Sequence, residues 1–194
     1  MARHIEYNPV EVRQKLMAQF WAAGYSETSL SDLEAATGLN RRQLYNGIGD
    51  KRTMFLVALD DFVEASVQQL LAPLEGDDAG AQDVRILFDK FISMANEPDG
   101  WHGCLVCSSS QEEIAHDPAV RERHASFFDR IRNAHLNALT RAMQRTDSKL
   151  SIAELNDRAD GLFSTHVSLC VLGRARRPVD QLKRIAGHGL RCIS

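Results

Sequence analysis

Apolar residues along this chain recur at three- and four-residue steps, so the pattern predicts helices throughout and no strand. Val12, Leu16 and Phe20, with Met17 and Trp21, form the stripe of a first helix over 9–24, with Pro9 in its first turn. Leu30, Leu33 and Ala36 mark a short second helix. Ser29 and Asp32 have capping-box spacing before it, and Gly38 supplies a left-handed stop. Asn40 then caps a third helix, Arg41 to Asn46, pinned by Leu39, Leu44 and Ile48. Asp50 caps a fourth over about 51–71, which Pro73 and the Gly76–Gly80 stretch are expected to end. Beyond lie a helix over 81–95, a loop over 96–103 and a short helix over 104–115. A long helix follows from Asp117-Pro118 to Arg145, then a turn over 146–151, a helix over 152–173 and a last one opened by Pro178. The expected fold class is all-α, with about nine helices.

The second and third predicted helices, TSLSDLEAATGLNRRQLYNGIGDK from Thr28 to Lys51, outline a helix-turn-helix whose second member opens with arginines. Phe20 to Leu59 resembles the DNA-binding head of the tetracycline-repressor (TetR) family. The resemblance rests on Phe20, Gly24 and Tyr25 before the Thr28-Ser29 start, on Gly38 and Leu44-Tyr45, and on Lys51 opening a longer helix. Glu34 stands where such heads usually carry alanine, Arg42-Gln43 replace a small pair, and Gly47-Ile48 replace a His-Phe. These departures bear on which operator is read. The fourth helix would physically join a head over 1–54 to a body over 55–194, so the boundary is placed inside it near Phe55; the resemblance implies that this body binds ligand and dimerises. It also implies a homodimer formed through the last two helices, where 162–173 and Leu182, Ile185, Leu190 and Ile193 are the candidate surface.

Net charge is −3, which alone does not point to nucleic acid, but its distribution is uneven. Residues 1–52 hold seven basic and six acidic side chains, and within 40–52 Arg41, Arg42, Lys51 and Arg52 face one acid, Asp50. A basic edge on an acidic body suits a protein that grips phosphate at one end. No apolar run reaches the roughly 18 residues of a membrane span, and the N-terminus lacks the apolar core of a secretory signal. The expectation is a cytoplasmic protein with no membrane partner and no disulfide.

At the DNA end, Arg41 and Arg42 sit where side chains reach base edges, and a guanidinium can bind guanine O6 and N7 together. Gln43 and Asn46 are amides able to read adenine. Tyr45 and Thr28, with Ser29 beside it, are candidate phosphate contacts, and Lys51 can meet a phosphate at the start of the fourth helix.

In the body, Phe88, Phe91, Met94, Trp101, Cys104, Phe127, Phe128, Ile131, Phe163 and Cys170 are candidates to line a cavity for an apolar or amphipathic small molecule. His135 and His166 are candidates to orient a polar group on it; core packing is the competing reading for all of these. WHGCLVC, Trp101 to Cys107, carries three alternatives: packed thiols, a zinc site through His102, Cys104 and Cys107, or a sensor whose Cys104 thiolate is stabilised at a helix start. The last matches a Gly-Cys-Leu context found in some TetR-like repressors. There is no second CxxC, P-loop or GxSxG, and the Glu113–His116 pair has no second copy, so no enzyme, metal or cofactor is expected. Glu112, Glu113 and His116 read as a solvated helix face. The expected function is a ligand-responsive repressor released from duplex DNA by a small-molecule effector. The alternatives are a thiol-based redox or electrophile sensor using Cys104, and a helical ligand- or metal-binding protein without DNA binding.

Overall fold

A computed structural model describes residues 8–98, 100–146 and 150–193, and every regular element among them is helical. The helices are α1 (Pro9–Ala23), α2 (Leu30–Thr37), α3 (Arg41–Gly47), α4 (Lys51–Ser66), α5 (Ala72–Glu75), α6 (Ala81–Ala95), α7 (Leu105–Ser109), α8 (Pro118–Thr146), α9 (Ile152–Arg174) and α10 (Val179–Leu190). The turn expected over 146–151 falls partly outside the described residues.

Local sequence explains most of the boundaries. Asn8 caps α1 by accepting from Val10 N at 3.0 Å, with Pro9 in the first turn. Asp50 caps α4 through Thr53 N at 2.7 Å, and Asp117 caps α8 through Ala119 N at 2.9 Å. Ser151 and Glu154 form the capping box of α9.

Two boundaries differ from expectation. Pro73 does not end the fourth helix: α4 passes through a π-helical turn, Val67–Leu71, straight into α5. Proline has no N–H to give Gln69 O, its α-helical partner, and the Lys90 ammonium of α6 reaches that carbonyl instead at 3.3 Å. The helix expected over 104–115 breaks after Ser109 and resumes as a 3-10 turn, Glu113–His116. Ser109 and Ser110 hydroxyls donate back to Leu105 O and Cys107 O at 2.7 and 2.9 Å, competing with the helical ladder.

α1 to α4 close one small core in which Phe20 meets Phe55 edge-on at 5.3 Å and Tyr25 meets the same ring at 5.0 Å. Phe55, at the expected boundary between head and body, turns its ring into this core. α6, α8, α9 and α10 form the larger core, with Phe88, Phe91, Ile131, Ala138, Leu162 and Leu182 buried. Truncating one such fully buried phenylalanine to alanine typically costs about 3–5 kcal/mol.

Candidate nucleic-acid interface and effector cavity

The short helices at the head are built from their own caps. Ser29 Oγ accepts from Asp32 N at 3.2 Å while Asp32 Oδ2 accepts from Ser29 N at 2.8 Å, fixing the start of α2. Gly38 ends it at φ 74°, a backbone that a side chain would strain. Asn40 and Gln43 repeat the reciprocal box at the start of α3, with both bonds at 3.0 Å. Leu33, Leu39 and Leu44 are buried beneath, so α3 is held on α2 with its other faces outward.

The expected DNA-facing residues divide on that scaffold. Arg42, Tyr45 and Asn46 are exposed, Tyr45 by 45%. Arg41 is exposed but engaged: Glu34 Oε1 accepts from Arg41 N at 2.5 Å, and Glu34 Oε2 from its guanidinium at 3.3 Å. The unexpected glutamate thus caps α3 from α2. Gln43 is committed to its capping box. Ser29 is exposed at the start of α2 with its hydroxyl in the cap. Thr28 departs from expectation, being fully buried with its hydroxyl donated to Gly24 O at 2.6 Å, so that hydroxyl is not presented to a phosphate. Lys51 is half-buried, its ammonium 4.3 Å from the Tyr25 ring centre, and burial holds its pKa below the usual lysine value. Arg52, counted with the basic edge, grips Asp117 at 2.6 and 2.9 Å and pulls that carboxyl down to about 2.

That pair is one of several ties between head and body. Glu112, expected on a solvated face, instead accepts from Tyr25 N at 3.2 Å and Ser26 N at 2.7 Å. It approaches Gly24 so closely that a Cβ there would lie 2.8 Å from Glu112 Oε1. Arg174, at the end of α9, donates to Trp21 O at 2.9 Å and Ala22 O at 3.1 Å on α1, and to His102 O at 2.7 Å. Trp21 Nε1 donates to Gly103 O at 2.9 Å. Along α4, Asp60 pairs with Arg123 of α8 at 2.7 Å, while Asp61 pairs with Arg13 of α1.

Behind these ties lies an apolar cavity of about 180 Å³ between α1, α4, α6, α8, α9 and the loop at Trp101. Of the expected lining residues, Phe91, Met94, Trp101, Cys104, Phe127, His166 and Cys170 lie on it. Phe88, Ile131 and His135 are buried one layer behind: Phe88 packs on His135 at 5.8 Å, and His135 Nε2 bonds His166 Nδ1 at 3.2 Å. Phe128 and Phe163 meet each other edge-on at 6.0 Å and do not reach the cavity. The near wall was missed: Met17, Trp21, Phe62 and Leu70, together with Lys90 at the rim. Met17 and Trp21 did stand in the first helix's apolar stripe, but nothing local showed that its far side faces the body. Burial pushes His135 down to about 4 and His166 well below the ordinary histidine value, so both are neutral near pH 7.

The profile of the tetracyclin repressor-like C-terminal domain matches residues 80–186, more than half of the sequence. The chain belongs to the TetR family. A regulator of the helix-turn-helix type from Bacillus subtilis, YezE, is 26% identical over 187 residues, 94% of each chain. The Escherichia coli repressor ComR is 30% identical over 120 residues, 57% of this chain and 55% of ComR. Among solved structures, the TetR-family regulator CifR, a cysteine mutant complexed with a 26 bp operator, superposes with a TM-score of 0.84 over 97% of this chain and 98% of that one at 21% identity. Reduced E. coli NemR gives 0.76 over 92% and 94% at 16% identity. As a TetR-family transcriptional regulator, the protein binds operator DNA as a homodimer and responds to a small-molecule effector. No helix among the described residues is long and apolar enough to cross a membrane.

Within this TetR-family body, the thiols depart from the sensor expectation. Cys104, Cys107 and Cys170 are buried together. Cys104 does precede α7, but contact with Cys107 and burial push its pKa well up. Cys107 is pushed up beyond the ordinary thiol range, contact with Cys170 and burial outweighing the contact with Cys104, and burial raises Cys170 too. A thiolate is therefore disfavoured at all three. His102 is exposed with its ring edge-on to Trp21 at 5.8 Å, and no three His, Cys, Asp or Glu side chains among the described residues are grouped to hold a metal ion.

Proposed function

We propose that the protein is a repressor whose dimer grips a palindromic operator through α3 and lets go when a small apolar or amphipathic molecule fills the cavity. The observation that carries this reading is the course of one helix. α4 starts beside α3, lends Phe55 to the head core, and then lines the cavity with Phe62, Leu70 and Leu71. Occupancy of the cavity therefore acts on the element that sets the head's position. A coupling of about 1–3 kcal/mol suffices for a 5- to 150-fold loss of affinity.

Within the head, Arg42 and Asn46 read base edges, Tyr45 and Lys51 meet phosphates, and Arg41 serves through its pairing with Glu34. The outer faces of α9 and α10, where Phe163, Val167 and Ile185 are only partly covered, form the dimer surface. Two heads then address half-sites about one helical turn, ~34 Å, apart. The protein works in the cytoplasm, where its targets lie, and carries no catalysis.

A fluorescence-anisotropy titration of upstream DNA at fixed salt tests the reading. A twofold-symmetric sequence should bind at least a thousandfold above random duplex, as specific complexes do. Equal affinity for both duplexes would refute it.

A further inference from the structure

We propose that the effector is a small amphipathic anion, an apolar body carrying one carboxylate, and that Lys90 is the residue that selects its charge. This rests on the cavity being the effector site. Of the side chains lining it, Lys90 alone is charged, since burial keeps His166 neutral; Trp21, Phe62, Phe91, Trp101 and Phe127 supply the apolar wall. A pocket with one cation at its rim and no anion favours a negatively charged guest.

The ammonium has room for one. Ile86, Leu87, Ser93 and Met94 occupy the neighbouring helical positions on α6, so no carboxylate faces Lys90 from its own helix. Arg52, Arg123 and Arg130 each grip a carboxylate with two hydrogen bonds, whereas the contact described for Lys90 is a neutral carbonyl, Gln69 O, at 3.3 Å. A carboxylate would replace that long bond with a shorter, charge-assisted one. Size agrees: a cavity of roughly 150 Å³ takes up benzene, so about 180 Å³ admits one ring with a short acid chain.

The same contact gives the ligand a handle on the DNA end. Gln69 lies in the π-helical turn where Pro73 cannot supply the α-helical N–H to its carbonyl, and Gln69 itself lines the cavity. An anion that draws Lys90 away takes a hydrogen-bond donor from that carbonyl, in the helix that runs to the reading head.

The chain's two tryptophans, Trp21 and Trp101, both stand on the cavity wall, so their fluorescence reports its occupancy. The test titrates the full chain with 3-phenylpropanoate and with 3-phenylpropanamide, which share a shape and differ in charge. The acid should bind wild type about tenfold or more tighter than the amide, one charge-assisted bond being worth that much. Lys90→Met should bring the ratio to about one with amide affinity unchanged, and Lys90→Arg should keep the preference. Amide binding with no preference for the acid, or a preference that survives Lys90→Met, overturns the anion proposal and leaves the cavity as a binding site. Absence of quenching by either probe at millimolar concentration overturns the proposal together with the cavity reading.

Discussion

Acidification should destabilise this fold earlier than its carboxylates alone would cause, and the buried pair His135 and His166 is the reason. His135 Nε2 and His166 Nδ1 share one hydrogen bond at 3.2 Å, His135 Nδ1 has no partner, and both rings are almost wholly enclosed. In the unfolded chain each titrates near 6.5, whereas in the fold burial holds His135 at about 4 and His166 well below its ordinary value. A depressed folded pKa means that the unfolded state binds the proton first. The contribution is therefore fully present above pH ~6.5 and is lost as pH falls through that value towards ~4. The slope is ~1.4 kcal/mol per pH unit per histidine, so His135 alone accounts for about 3 kcal/mol across its window, within a total of order 5–15 kcal/mol. Asp117, held near 2, gives way only below pH ~4 and does not blur the reading. Urea denaturation followed by circular dichroism at pH 7.5, 6.5, 5.5 and 5, at constant protomer concentration, measures the slope. His135→Gln keeps a hydrogen-bonding partner for His166 without a titrating ring. Its stability should fall with about one proton less per molecule between pH ~6 and 5 than wild type. Equal slopes for the two proteins would show that His135 is protonated in the fold, and the argument from burial would be wrong.

Other perturbations test the remaining assignments. Arg42→Ala should cost about 1–3 kcal/mol on the specific operator and relax sequence preference, while Lys51→Ala should weaken all duplexes alike and reduce the salt slope by about one; indistinguishable salt titrations would refute the division. Iodoacetamide should alkylate Cys104, Cys107 and Cys170 far more slowly at pH 7.5 than a free thiol, and Cys104→Ser should leave effector-driven release intact; rapid alkylation read by mass spectrometry would restore the thiol-sensor reading. Arg174→Ala removes three carbonyl contacts, two of them to α1, and should leave ligand quenching unchanged while blunting release of operator in anisotropy; unchanged release would exclude this route of coupling.

Where the sequence foretold structure, the information was local. Ser29 with Asp32, Gly38, and Asn40 act within four residues of themselves, so both head helices could be bounded from spacing alone; that Gln43 completes the box with Asn40 emerged only in the fold. The π-helical turn could not, because the group that compensates for Pro73 is Lys90, on another helix. Glu112 looked like surface for the same reason: its two N–H donors, Tyr25 and Ser26, lie far upstream. Thr28 shows a different limit, since a threonine before a helix can turn its hydroxyl out or back, and here Gly24 O claims it. In the body, helical period identified buried rings but not their neighbours. Phe127 and Phe128 are adjacent in sequence, yet only Phe127 reaches the cavity while Phe128 turns to Phe163. Assigning α1 wholly to head support hid Met17 and Trp21 from the cavity, which needs the crossing of α1 over the body to form.

Glu34 has a consequence for how this regulator searches a chromosome. By setting a carboxylate beside Arg41 at the start of α3, it lowers the positive charge that end of the helix offers to duplex of any sequence. Sequence-blind affinity, which rests almost wholly on such charges, then falls, while base contacts still mark out the correct site. Fewer molecules are detained on the vast excess of irrelevant DNA, and a small cellular stock can keep its operator occupied.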